Sequence, residues 1–313
     1  MKKLVKFLAL SLAFFLAVPA MKTSAAQIQT PAQDLKYQIR VNRVANCVTV
    51  YEKDATGAYT LPYRSLACSV GKNIEDTPLG TFRTSDYYDW RLMVDGSYGQ
   101  YAIRFNKGIL FHSVPYYSDR PDDLEIEQFN LLGENASLGC VRMSVADVKW
   151  LYTNCPKGTE VIVYDDAKNP GPLGKPVQMK TITNLPFSGW DPTDDRPENP
   201  WNAYKPTLYL KKDMGDGVLY MFQGTTQEGI KDYIVTINWG GIDLPTDKYE
   251  VTMNGRYDLN QSGVYRVWVS VFDESGIMTQ KEFILAVVPN PKEQIVEQTA
   301  NSTVVQNTVQ TNN

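Results

Sequence analysis

The chain has 313 residues, with 31 lysines and arginines, 35 aspartates and glutamates and one histidine, for a formal net charge of −4. An acidic chain without a basic run is excluded from roles on nucleic acid or anionic lipid surfaces. One imidazole and no CxxC pair leave a zinc or other metal centre without support, and the length accommodates two domains of ordinary size.

In chain order, the first feature is an export signal. Lys2, Lys3 and Lys6 precede an apolar run over residues 7–18, and Ser24-Ala25-Ala26 closes the segment with small residues. That is the layout of a secretory signal peptide over residues 1–26, cleaved after Ala26. Its apolar core of 12 residues is short of the roughly 20 that a membrane span needs. No second long apolar stretch follows, so the mature chain is expected to be secreted, extracytoplasmic and without a membrane span. Cleavage removes four lysines and no acid, taking the formal charge from −4 to −8. Cys47, Cys68, Cys140 and Cys155 all lie beyond the cleavage site. In an oxidising compartment the default reading of four cysteines is two disulfides.

Residues 36–166 read as one β-rich domain with a helix near its end. Residues 41–51 and 59–70 are rich in β-branched and aromatic side chains, and Asp54-Ala55-Thr56-Gly57 supplies a turn between them. A hairpin centred between Gly57 and Ala58 places Cys47 opposite Cys68, which makes them the disulfide candidates. Further strands are expected at 81–85, 100–105 and 109–112. Ser144 then caps a helix whose Val145, Val148, Leu151 and Tyr152 share a face, and Pro156 and Gly158 end it before a last strand over 159–164.

Residues 167–206 carry Pro170, Pro172, Pro176, Pro186, Pro192, Pro197 and Pro200 and little apolar periodicity. They read as an extended, semi-rigid linker, with Trp190 and Trp201 lying against a neighbouring domain. Alternation returns over 207–289, with strands expected at 207–212, 232–239, 248–254 and 277–288 and turns at Asn254-Gly255 and Ser275-Gly276. This spacing is similar to the immunoglobulin-like modules of bacterial surface proteins. The tail, 290–313, is rich in Gln, Asn, Thr and Val and is expected to be disordered.

The chemistry concentrates in two short stretches, Phe111-His112-Ser113 and Ser137-Leu138-Gly139-Cys140-Val141-Arg142. A thiol of pKa ~8.5 is only a few per cent ionised near neutrality, so a cysteine nucleophile needs a base or a cationic neighbour. His112 is the sole imidazole. Gly139 lets the backbone approach a bound carbonyl, and amides around Cys140 suit a developing oxyanion. By residue type alone each has a plainer reading: a lone histidine after a strand is more often structural, and an exported cysteine more often bridged.

In order and spacing, these pieces resemble the L,D-transpeptidase (YkuD-type) catalytic domain, whose motif is a His-Gly or similar dipeptide followed, after a gap, by Ser/Thr-His-Gly-Cys-x-Arg/Asn. Ser69-Val70-Gly71 and Thr77-Pro78-Leu79-Gly80-Thr81-Phe82 are similar to that domain's early strands, so the resemblance covers about residues 36–166. Together with the immunoglobulin-like spacing of residues 207–289, it implies a mainly β protein: an L,D-transpeptidase-type β-sandwich followed by a C-terminal immunoglobulin-like β-sandwich. Two positions depart from the motif. Leu138 stands where a histidine is usual, which leaves the base role to His112, and Ser113 replaces the common glycine.

The resemblance implies Cys140 as nucleophile and His112 as base. Ser113 would orient the imidazole through its carbonyl, and Leu138 and Gly139 would contribute to the oxyanion hole. Ser137 would be a local hydrogen-bonding residue. Arg142 has two readings: it supports the nucleophile loop or a substrate carboxylate, or it forms a structural salt bridge. Tyr101, Tyr98 and Trp90 line the cleft or belong to the core. The implied reaction takes peptidoglycan stem peptides to a thioester, releases D-alanine and passes the acyl group to an amine, giving 3–3 cross-links without a cofactor. Carbapenem-type β-lactams are the implied inhibitors. The alternatives are an L,D-carboxypeptidase and a non-catalytic wall-binding protein. A free Cys140 leaves three cysteines and so at most one bridge, with Cys155 expected as a buried thiol.

Overall fold

The computed structural model describes residues 35–291 except positions 213, 239 and 240. The signal segment 1–26 and the tail beyond residue 291 lie outside the described residues. Up to residue 164 the elements are β1 (Tyr37–Asn42), β2 (Cys47–Lys53), β3 (Tyr59–Ala67), β4 (Gly80–Arg83), β5 (Tyr87–Leu92), β6 (Tyr98–Asn106), β7 (Ile109–Ser113), α1 (Ile126–Phe129), β8 (Val141–Met143), α2 (Val145–Asn154) and β9 (Glu160–Tyr164). They form two sheets, ordered β3-β2-β1-β9-β4 and β5-β6-β7-β8. Ile39, Val41, Val48, Val50, Phe111 and Val141 meet in a core that Val148 and Leu151 of α2 complete.

Several sequence expectations change here. The single strand expected over 41–51 is a hairpin, because Asn46 turns the chain at φ 51, a conformation asparagine tolerates better than most residues. Asp54 builds the next turn as expected, accepting from Thr56 N at 2.8 Å and Ala58 N at 3.1 Å. Two register shifts in the β2–β3 pair then place Cys47 opposite Ala67, not Cys68. A one-residue change of register sends a side chain to the other face. Cys68 accordingly enters the core, whereas Cys47 meets Ser65 Oγ at 3.4 Å. The expected bridge is therefore absent, and the four thiols are free. Cys155 is a buried thiol at the end of α2. Ser144 does cap that helix, its hydroxyl accepting from Asp147 N at 3.3 Å.

The proline-rich stretch is packed rather than extended. Met179 and Trp201 are buried in a second core with Val114, Tyr116, Phe129 and Leu132. Asp191, Asp194 and Asn199 are buried as well. Proline prevents regular ladders but not burial, since side chains satisfy the backbone instead: Asn199 Nδ2 donates to the carbonyls of Asp191 and Asp194, both at 2.8 Å.

Downstream are β10 (Thr207–Leu210), β11 (Val218–Phe222), β12 (Ile234–Ile237), β13 (Tyr249–Gly255), β14 (Gly263–Asp273) and β15 (Met278–Val288). The sheet β11-β15-β14-β13 and the pair β10-β12 enclose their own core. Gly255 is still paired within β13, so no turn falls at Asn254-Gly255. Gly276, at φ 78, does form the second expected turn. This portion docks on β3: Tyr63 and Trp268 meet edge to face at 5.2 Å, and Arg64 donates to Asp147 at 3.0 Å and Gln280 at 2.9 Å.

Candidate active site

Parallel pairing of β7 with β8 sets Phe111 beside Val141 and His112 beside Arg142. Paired residues of parallel strands share a face, and faces alternate along each strand. Phe111, Val141 and Met143 enter the core, so His112 and Arg142 take the opposite face. Cys140, two residues before Arg142, joins them. All three line a small cavity of about 70 Å³ with Asp95, Ser97 and Ile109. A larger hollow of about 350 Å³ borders β3, α2 and β15 but is lined by neither thiol nor imidazole.

The loop before β8 is held by local bonds. Ser137 Oγ accepts from Gly139 N at 3.0 Å and donates to Cys140 O at 2.6 Å. Thr77 Oγ1 donates to Gly139 O at 2.7 Å and accepts from Gly71 N at 2.9 Å. Gly139 sits at φ 118, and a Cβ there would lie 2.5 Å from Asp76 O. Glycine is required on both counts. Because the Gly139 amide is committed to Ser137, it is not a free oxyanion donor, contrary to the sequence expectation; its contribution is conformational. Leu138 stands 63% exposed at the rim.

His112 is buried, and its Nδ1 lies 2.6 Å from Ser113 O. A carbonyl only accepts, so Nδ1 carries the proton and Nε2 keeps its lone pair. Burial, reinforced by the Arg142 charge, lowers the imidazole pKa to about 4. Burial also raises the Cys140 pKa, partly offset by the Leu110 amide and Arg142. At neutral pH the pair is therefore thiol and imidazole rather than thiolate and imidazolium. The thiol points toward Gly108 O at 3.8 Å.

Arg142 donates to Gln128 Oε1 at 2.8 Å and Ala136 O at 3.2 Å, and its buried Nε has no partner among the described residues. Among the described residues, neutral groups rather than a salt bridge hold it. Tyr101 and Trp90 are not in the cavity lining: Tyr101 packs on Tyr152 at 5.4 Å, and Trp90 on Tyr116 at 5.1 Å. Tyr98 belongs with the second core. The sequence reading missed the β5–β6 turn, which brings Met93, Val94, Asp95 and Ser97 to the cavity. Its signal was Asp95-Gly96, a hairpin dipeptide, followed by Ser97, whose hydroxyl donates to Asp95 at 2.7 Å. Gly99 was missed too: a Cβ there would lie 2.7 Å from His112 Nδ1.

A thiol at the entry to β8 and a neutral imidazole on the adjoining parallel strand β7, lining one cavity, define the class of a candidate cysteine acyl-transfer site. Residues 36–163 match the L,D-transpeptidase catalytic domain, YkuD. "Putative L,D-transpeptidase YciB" of Bacillus subtilis (strain 168) is 33% identical over 113 residues, 34% of this chain and 57% of that protein. The chain thus spans little more than half the length of that relative. Among solved structures, an L,D-transpeptidase from Mycobacterium smegmatis is 21% identical with a TM-score of 0.34, covering 42% of this chain and 59% of that one. LD transpeptidase LdtMt1 in complex with imipenem is 22% identical with a TM-score of 0.33, covering 42% and 59%. Over residues 36–163 the chain carries an L,D-transpeptidase catalytic domain.

Proposed function

We propose that the exported chain is a peptidoglycan L,D-transpeptidase, with Cys140 as nucleophile and His112 as general base. The observation that carries this reading is the parallel pairing of β7 with β8, which brings His112 and, at the entry to β8, Cys140 to the lining of one cavity. Proton transfer requires Sγ to leave Gly108 O for the imidazole. Nε2 accepts the thiol proton as Sγ attacks the carbonyl of the third stem residue, and returns it to the departing D-alanine. The amides of Leu138 and Cys140 remain as oxyanion donors. An amine of a second stem then attacks the thioester, giving a 3–3 cross-link and restoring the thiol. Arg142, with its unpartnered Nε, suits a substrate carboxylate.

The apolar run ahead of Ala26 supports export and a place at the cell wall. The two sheets after residue 206 support an immunoglobulin-like module. A strained β-lactam presents an acylating carbonyl to the same thiol, so carbapenems are the expected inhibitors. Incubating the mature protein with tetrapeptide muropeptides, followed by mass spectrometry, tests the reading. Cross-linked dimers support it; tripeptides alone indicate transfer to water, and unchanged substrate overturns it.

A further inference from the structure

We infer that Arg196, outside the matched residues 36–163, is a positioning residue for the His112 imidazole. The inference rests on His112 being the general base. β6 pairs with β7 from Ile103 opposite Phe111 onward. Before that point Tyr101, at φ 50, interrupts the extended run. Gly99 and Gln100 are thus free of the β7 ladder and pass over the imidazole, so closely that a Cβ on Gly99 would touch Nδ1. On that side their anchors are side chains. Gln100 N donates to Ser113 Oγ at 2.9 Å, and it is the Ser113 carbonyl that fixes the imidazole tautomer.

Arg196 secures Gln100 from behind. With the Gln100 amide turned so that its oxygen faces the guanidinium, the orientation that a donor-only group requires, Nη2 donates to that oxygen, as does Nη1 at 3.2 Å. A guanidinium has no acceptor, so it fixes which way the buried amide faces. Arg196 is in turn ion-paired to the fully buried Asp194. Its segment is closed by Asn199 and tied to the start of α2 by Asp191 Oδ2, which accepts from Val145 N at 2.9 Å. One strap therefore braces the histidine side of the site through Gln100. It also braces the first turn of α2, the helix that follows the Cys140 loop. The bland alternative is that the strap merely covers the core around Trp201.

The chain's single histidine separates these readings, because every imidazole signal belongs to His112. The full mature chain, labelled with ¹⁵N-histidine, is compared as wild type, Arg196→Ala, Arg196→Lys, Gln100→Leu and Trp201→Phe. Positioning predicts one Nδ1–H tautomer in the wild type. In Arg196→Ala and Gln100→Leu the two nitrogen shifts should move toward an average. kcat should fall about tenfold or more with KM within about twofold, the pattern of a misplaced catalytic group. Arg196→Lys should recover part of both. Trp201→Phe should lower the melting temperature and leave the imidazole signals in place. Unchanged signals in folded Arg196→Ala overturn the inference, as do shifts of equal size in Trp201→Phe. If Arg196→Ala does not fold, Gln100→Leu decides on the same readout. A wild type without turnover counts against the transpeptidase reading, while the imidazole spectra still test the strap.

Discussion

Cys140 and His112 face one cavity but are held there by different means. The cysteine side is closed by its own loop and docked on one neighbouring segment: Ser137 closes a loop of four residues on itself, and Val70, Lys72 and Thr77 hold that loop from residues 70–77. The histidine side is assembled from afar, by Gly99 and Gln100 on β6 and, behind them, a strap near residue 196. The difference teaches that the nucleophile loop is closed by its own side chains and docked on a single segment, residues 69–77, whereas the base is positioned by groups gathered from separate parts of the chain. Damage on the first side should appear as a loosened loop. Damage on the second should appear as a misplaced proton acceptor.

The largest effects remove the two groups themselves. Cys140→Ala should abolish turnover while circular dichroism and melting temperature stay near wild type, since the thiol is partly exposed and makes one weak bond. Cross-linking by the purified variant would eliminate the mechanism. His112→Gln should slow acylation by roughly two to four orders of magnitude, the usual range for loss of a general base. Stopped-flow acylation by a carbapenem measures this directly, and a rate near wild type would point to another base.

The next two changes set the two sides against each other. Gly99→Ala would place a methyl group 2.7 Å from His112 Nδ1 and 2.5 Å from Met93 Cε. The imidazole must shift, and kcat should fall about 10- to 100-fold, because displacing a catalytic group by about 1 Å costs of that order. Thr77→Val would keep the shape but leave Gly71 N and Gly139 O without their partner. Stability should drop by about 1 to 3 kcal/mol in urea unfolding, as for unsatisfied buried groups, with a smaller loss of rate. A Thr77→Val enzyme slower than Gly99→Ala would reverse the proposed division of labour.

The same division explains what was legible in the sequence. Ser137, Gly139 and Cys140 stand within four residues, and the helix cap at Ser144 follows at once, so the cysteine side shows as a string. Gly99 could not be found that way, since its neighbour His112 meets it only through the β6–β7 register and the break at Tyr101. Cys47 and Cys68 show the cost of small errors in register. The expected hairpin paired them, and two bulges moved Ala67 into place. The proline-rich stretch looked like a spacer because periodicity was absent. Its burial instead relies on local bonds of Asp194 and Asn199 and on Asp191 accepting from Val145 N, 46 residues earlier in the chain.

The smallest expected effect on rate is a flat one, and it follows from the histidine side. Burial and Arg142 hold the imidazole pKa near about 4, so His112 stays neutral and able to accept a proton well below neutrality. An ordinary histidine, pKa about 6.5, would lose roughly tenfold of its free-base form by pH 5.5. Here kcat/KM should be nearly the same at pH 5.5 and 7.5, and a loss of about tenfold would refute the neutral-pair description. The stability consequence has a definite sign. The folded pKa lies below the unfolded one, so the contribution of His112 is complete above about 6.5 and declines as pH falls toward 4, by up to about 3 kcal/mol. Asp191 runs the other way: burial raises its pKa to about 6, so its contribution is complete below the ordinary carboxylate pKa and is lost as pH rises through 6. The two oppose each other between about pH 4 and 6.5, which flattens the wild-type profile and hides each term. Comparing urea unfolding of wild type and His112→Gln at pH 7 and pH 4.5 isolates the histidine, since Asp191 is common to both. Wild type should lose about 2 to 3 kcal/mol more than the variant over that interval. Equal losses would mean that His112 titrates alike in the folded and unfolded chains, and that its burial does not set its proton affinity.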